Sequence, residues 1–218
     1  MSGHFDKFYS LEPEKKERIV AAALDEVAEK GFKKASTNAI VKRAGISKGM
    51  LFYYFGSKEE LFDFLFSYII EFIKGEYMEK FLNQVETRDF IERCKSLAAL
   101  KKYVISTHPK MIKFYEHFFL PGNEEYFNKY ATAITEITQI VRKGLYEDVD
   151  YSLFREGVAP EAVLTYIRWL TERYEQEFMN KLGEEASTDE QFETAFNAYD
   201  ALLLDLKKIF YKDHEEED

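Results

Sequence analysis

Apolar residues recur along this chain at helical spacing, and no run alternates with the two-residue period of a strand between turn signals. Pro13 suits the first turn of a helix whose buried face is marked by Ile19, Ala23 and Val27, and Gly31 is a natural stop. Ser36 or Thr37 can cap a short second helix through Ala44. Gly45 breaks that helix, and a third runs from about Ser47 to Tyr54, ended by Gly56. Ser57-Lys58-Glu59-Glu60 has capping-box spacing, so a long fourth helix is predicted from Ser57 through about Phe81. Further helices are predicted at about 87–106, 109–119 and 123–147, then from Pro160 to Leu182. A second capping box, Thr188-Asp189-Glu190-Gln191, opens a last helix to about Tyr211. The expected fold class is all-α, with about nine helices.

Charge changes the picture by position. The 218 residues carry a net −10, which taken alone argues against a polyanionic partner. Residues 1–60, however, hold 11 Lys/Arg against 9 Asp/Glu, and the remainder holds 19 against 31. From Lys33 to Lys58 there are six cations (Lys33, Lys34, Lys42, Arg43, Lys48 and Lys58) and no acid. Such a window is the electrostatic footprint of a site for a polyanion, or else an ordinary solvated basic face. A soft boundary is placed near residue 57, where the composition turns aromatic and acidic. It gives a head at 1–57, a body at 58–212 and an acidic, solubilising tail at 213–218.

Within the basic window, Ile40, Ala44, Ile46, Leu51 and Tyr54 fall where two crossed helices bury contacts against each other, with Gly45 at the turn. This is helix-turn-helix spacing, in which the second helix enters the major groove of DNA. The positions left to solvent include Lys42, Arg43, Ser47, Lys48, Gly49, Met50, Phe52 and Tyr53. Ser47 should cap the recognition helix, and Lys48 can reach a phosphate or a guanine edge. Gly49 admits a close backbone approach, and Met50 offers an apolar contact such as a thymine methyl. Tyr53 and Tyr54 offer hydroxyls to phosphates. Lys58 would grip the duplex backbone from the first turn of the fourth helix.

The segment T-N-A-I-V-K-R-A-G-I-S-K-G-M-L-F-Y-Y-F-G-S-K-E-E-L resembles the DNA-binding signature of TetR/AcrR-type transcriptional regulators, with the likeness specific over about Glu14–Leu61. The resemblance implies DNA contacts at Thr37, Lys48, Gly49, Tyr53, Tyr54 and Lys58. It also implies a C-terminal helical domain that binds an inducer and dimerises, and repression rather than activation. Val41 stands where alanine is usual, Phe52 where tyrosine is usual, and Tyr53 where histidine is frequent.

The body is dense in large aromatics. Most such residues build helix core, but an apolar cavity lined by aromatics with a few polar groups is the other reading. The candidate ligand residues are Tyr103, Phe114, Tyr115, His117, Phe118, Tyr130, Arg168 and Glu172, for a small apolar or cationic-aromatic effector. The last two helices carry apolar stripes wider than one face needs, which suggests burial on two sides. A homodimer interface is expected to include Tyr166, Trp169, Phe192, Phe196, Tyr199, Leu203 and Leu206. A buried pair within one monomer is the alternative.

Chemistry is sparse. No phosphate-cradling glycine loop, H-E-x-x-H or C-x-x-C is present, and the four histidines are scattered. No catalytic residue, metal or cofactor is expected. No apolar run is long enough to span a membrane, and the single Cys94 fits a reducing cytoplasm. Two functions follow: a repressor released from a pseudo-palindromic operator by an effector, or a helical sensor or interaction protein without sequence-specific DNA binding.

Overall fold

The computed structural model describes residues 5–78, 81–82, 87–117, 124–184 and 189–212. Its helices are α1 (Asp6–Tyr9), α2 (Pro13–Lys34), α3 (Thr37–Ala44), α4 (Lys48–Phe55), α5 (Lys58–Phe72), α6 (Phe90–Thr107), α7 (Pro109–Glu116), α8 (Glu124–Tyr146), α9 (Pro160–Glu184) and α10 (Asp189–Phe210). The described residues contain no β-strand, and the fold is all-α as expected. The chain divides into two compact units, residues 1–77 with 104–137 and residues 78–103 with 138–218.

In the first unit, α2 buries Ile19, Ala23 and Val27 on its inner face, against Ile40, Ala44, Leu51, Phe55, Leu61 and Leu65 of the helices that follow. Gly31 interrupts α2 with φ 70° and ψ 168°, and one further turn runs to Lys34. Two features differ from the sequence reading. Helix α1 is an unpredicted single turn. It exists because Phe8 inserts between Phe55 and Phe64, with ring centroids 5.1 and 4.7 Å away. Helix α5 gives way to a π turn at Ile73–Tyr77, with Gly75, a weak helix former, inside it, and Met78, Phe81 and Leu82 beyond the turn are helical again. Helix α7 docks on α2 through the Lys110–Asp25 ion pair and the edge-on packing of Phe114 against Phe32 at 5.1 Å.

The second unit buries Phe90, Ile91, Val163, Ile167, Leu203 and Leu206. Asp89 caps α6 by accepting from the N–H groups of Ile91 (2.9 Å) and Glu92 (3.2 Å), and it also receives hydrogen bonds from Lys207 and Tyr211. The Arg93 guanidinium donates to the carbonyl oxygens of Gly144 (3.2 Å), Leu145 (3.3 Å) and Glu147, satisfying the otherwise unpaired end of α8. Three residues expected at an interface between copies, Tyr199, Leu203 and Leu206, lie instead in this core, because α6 and α9 already cover that stripe within one chain. Phe192 and Phe196 are half-buried. Tyr166 and Trp169 are exposed, together with Leu170, Leu204 and Ile209. No helix among the described residues is long and apolar enough to cross a membrane.

Candidate nucleic-acid interface

Helices α3 and α4 meet at Gly45, whose φ of 66° and ψ of 36° place it in the left-handed region that favours glycine. The Ile46 N–H closes the turn on the Val41 carbonyl at 3.1 Å. Beneath the turn lies the carboxylate of Glu26, almost fully buried on α2. It accepts the Ser36 N–H at 3.0 Å, so the start of α3 is tied down by α2; the Ser36 hydroxyl makes no capping bond. Glu26 also lies 3.6 Å from Arg43, whose other nitrogen pairs with Glu29 at 2.8 Å. That hydrogen bond holds the Glu29 carboxyl below its ordinary pKa and raises that of Arg43. Sequence reasoning missed Glu26 and Glu29 because their partner lies over a dozen residues away.

Helix α4 opens as predicted: Ser47 Oγ accepts the Met50 N–H at 3.2 Å. Lys48, Gly49 and Tyr53 are exposed along it, while Met50 and Phe52 are half-buried. Lys48 Nζ stands 5.9 Å from the Phe52 ring centroid. Thr37, the first residue of α3, is half-buried beside them in sequence. Two predicted contacts have other partners. Arg43 is engaged by Glu29 and Glu26, and Tyr54 is buried with its hydroxyl accepting from Lys15 Nζ at 3.3 Å. Tyr54 turns inward because it follows Leu51 by three residues on the same face of α4. The next helix begins as its capping box required, with Ser57 Oγ accepting the Glu60 N–H at 3.0 Å. Lys58 Nζ donates to the Lys33 carbonyl at 3.2 Å, which fixes it near the end of α2.

The predicted ligand residues do not form one group. In the first unit, Phe114 is fully buried against Phe32, and Tyr130 stacks on Phe66 at 3.7 Å with its hydroxyl donating to Asp63. His117 Nε2 lies 3.4 Å from the Ala28 carbonyl oxygen. Tyr103, Arg168 and Glu172 belong to the second unit: Tyr103 and Glu172 are exposed, and Arg168 is half-buried. Arg168 Nε is buried and has no hydrogen-bond partner among the described residues. Phe118 and the Tyr115 side chain lie outside the described residues, as do Thr188 and the tail 213–218. Among the described residues no group of three His, Cys, Asp or Glu side chains could hold a metal ion. Burial pushes the Cys94 thiol up to about 12, so it is not a reactive thiolate.

Comparison with known proteins falls on the same helices. The family model described as bacterial regulatory proteins, tetR family, matches residues 19–64. An uncharacterised HTH-type transcriptional regulator of Bacillus subtilis, YvdT, is 40% identical over 65 residues, 28% of this chain and 34% of that protein. The HTH-type transcriptional regulator BetI of Yersinia pestis is 30% identical over 88 residues, 40% of this chain and 44% of that protein. The chain thus spans less than half the length of these relatives. The similarity of fold is wider. A TetR family regulator from Chloroflexus aurantiacus superposes with a TM-score of 0.58 at 18% identity, covering 95% of this chain and 98% of that one. The fatty acid degradation regulator FadR of Bacillus halodurans gives 0.56 at 20% identity, covering 86% and 97%. The glycine-turned, serine-capped helix pair thus lies inside the segment that matches the tetR family model, and the chain shares the all-α fold of solved TetR family regulators.

Proposed function

We propose that the protein is a ligand-responsive DNA-binding transcriptional regulator, a repressor released from a pseudo-palindromic operator by a small effector. Gly49 is the observation that supports this most. It sits in the first turn of α4 without a positive φ, and a Cβ there would come no closer than 3.9 Å to any neighbour. The fold therefore gains nothing from a residue that weakens a helix. A duplex pressed against the N-terminus of α4 explains it: the backbone approaches, and the free N–H groups of that turn meet a phosphate.

In this reading residues 1–57 are the DNA-binding head. Helix α4 lies in the major groove, with Lys48 on a phosphate or guanine edge, Met50 against a base and Tyr53 on a phosphate. Lys58 contacts the duplex backbone, while Arg43 positions α3 on α2. Residues 58–212 bind effector and dimerise through Tyr166 and Trp169, which presents two α4 helices about 34–36 Å apart. The effector is a small, largely apolar molecule, and the unsatisfied Arg168 Nε supports one hydrogen-bond acceptor on it. It acts only through its different affinities for the DNA-competent and incompetent states. The protein carries out no catalysis and works in the cytoplasm, where its DNA is.

A gel-shift series on a random-sequence duplex in rising salt tests the reading. Parent protein should lose affinity steeply, and Lys48→Ala should flatten the log–log slope by about 0.9 per phosphate contact removed. Binding that ignores salt, or no binding in dilute buffer, would leave the sensor reading in its place. A thermal-shift panel of apolar compounds tests the effector class.

A further inference from the structure

The N-terminal turn of helix lies outside the segment that the family model matches, which begins at residue 19. It is nonetheless built firmly onto the face described above. Phe8 is buried, its ring 5.1 Å from Phe55 and 4.7 Å from Phe64, and Phe5 packs edge-on against Phe64 at 5.1 Å. Lys16 Nζ donates to the Tyr9 carbonyl at 3.3 Å, tying the turn to α2. The one cation of this turn, Lys7, is exposed and places its ammonium 4.2 Å from the centroid of the Tyr53 ring. Tyr53 is itself 60% exposed on α4.

We infer that Lys7, held over Tyr53, is a backbone-phosphate contact that extends the duplex-binding face of α4 beyond the helix-turn-helix. The inference rests on the reading of α4 as a DNA-binding helix. Its physical content is preorganisation. The negative face of the ring attracts the ammonium and so biases a flexible, exposed side chain toward one place. The ring occupies one side of the ammonium and leaves its other donors free. Lys7 has no carboxylate partner among the described residues, in contrast to Arg43, which spends its charge on Glu29. The Tyr53 hydroxyl beside it supplies a neutral donor, so the pair offers one phosphate a cation and a hydroxyl together. Asp6 and Glu12 are the nearest acids in sequence, and neither is paired with Lys7.

The test uses the full chain and a random-sequence duplex of about 30 base pairs, with fluorescence anisotropy from 50 to 200 mM NaCl. Each phosphate contact removed lowers the slope by about 0.9, so Lys7→Ala should shrink the loss of affinity over that range by about 3.5-fold per bound copy. Lys7→Arg should keep the parent slope. Tyr53→Phe keeps the ring and removes only a neutral hydroxyl, so it should weaken binding while leaving the slope unchanged. A Lys7→Ala slope equal to the parent's, while Lys48→Ala flattens it, overturns this inference and spares the DNA-binding reading. A parent that binds no duplex overturns both.

Discussion

Gly49 carries a prediction that separates a functional residue from a structural one. Alanine at this position meets only Ser47 Oγ, at 3.9 Å, and needs no backbone change. Gly49→Ala should therefore stabilise the protein by about 0.5–1 kcal/mol, since glycine in a helix costs roughly that much relative to alanine. The same methyl should hold a duplex away from the first turn of α4 and weaken binding by about fivefold or more, on the order of one lost hydrogen bond. Thermal melts and anisotropy on one sample check both signs, and a variant that loses stability and keeps DNA affinity would refute the assignment. Local features of this kind were legible in the sequence. Gly45, Ser47 and Ser57 act through neighbours three or four residues away, and each does in the structure what its spacing required. Tyr54 is buried, as its spacing required, but the engagement of its hydroxyl by Lys15 and of Arg43 by Glu29 was not legible, because both partners reach in from α2 and no local pattern records that.

At the scale of elements, the ends of helices are where charge does its work. Asp89 closes the N-terminus of α6 and joins it to the end of α10. Burial alone would raise its pKa, but the hydrogen bonds from Lys207, Tyr211 and the Glu92 N–H outweigh burial and hold the carboxyl below its ordinary value. A depressed carboxyl contributes stability that is present above the unfolded pKa of about 3.9 and is lost as pH falls through the lower folded value. Asp89→Asn should therefore destabilise the protein at pH 7, and the gap from the parent should be smaller at a pH well below the unfolded pKa of about 3.9. Urea midpoints at the two pH values measure it, and a gap that stays constant would place the effect in packing instead. No local pattern marks this junction, since Asp89 and Lys207 are 118 positions apart. Helix α1 escaped notice for a related reason: four residues carry no periodicity, and tertiary aromatic contacts alone hold the turn.

On the scale of the whole molecule, the composition change near residue 57 does not coincide with the edge of a core, because Leu61, Phe64 and Leu65 share one with Ile40 and Phe55. The step in charge marks a change of surface, and the division of roles proposed at that point is a division of surfaces too. Among the described residues, α9 and α10 expose the large apolar side chains of Tyr166, Trp169, Leu170, Leu204 and Ile209. Trp169 and Ile209 are each 58% exposed, and Tyr166 links the helices through its contact with Phe210 at 6.1 Å. The sequence showed that these stripes were too wide for one face, but it could not say which side one chain covers by itself. Tyr199, Leu203 and Leu206 are the covered side and Tyr166 and Trp169 are exposed, the residues through which the proposed dimer would form. Placing a charge there should then act on DNA binding without touching the head. Trp169→Glu should yield a monomer by sedimentation at micromolar concentration, with its thermal midpoint no higher than the parent's. Two linked heads convert the second contact into an intramolecular event, so the variant should lose affinity for a duplex with two half-sites by about 100-fold while binding a single half-site like the parent. Equal losses on both duplexes would mean that Trp169 supports the fold of its own chain, and the exposed stripe would then need another partner.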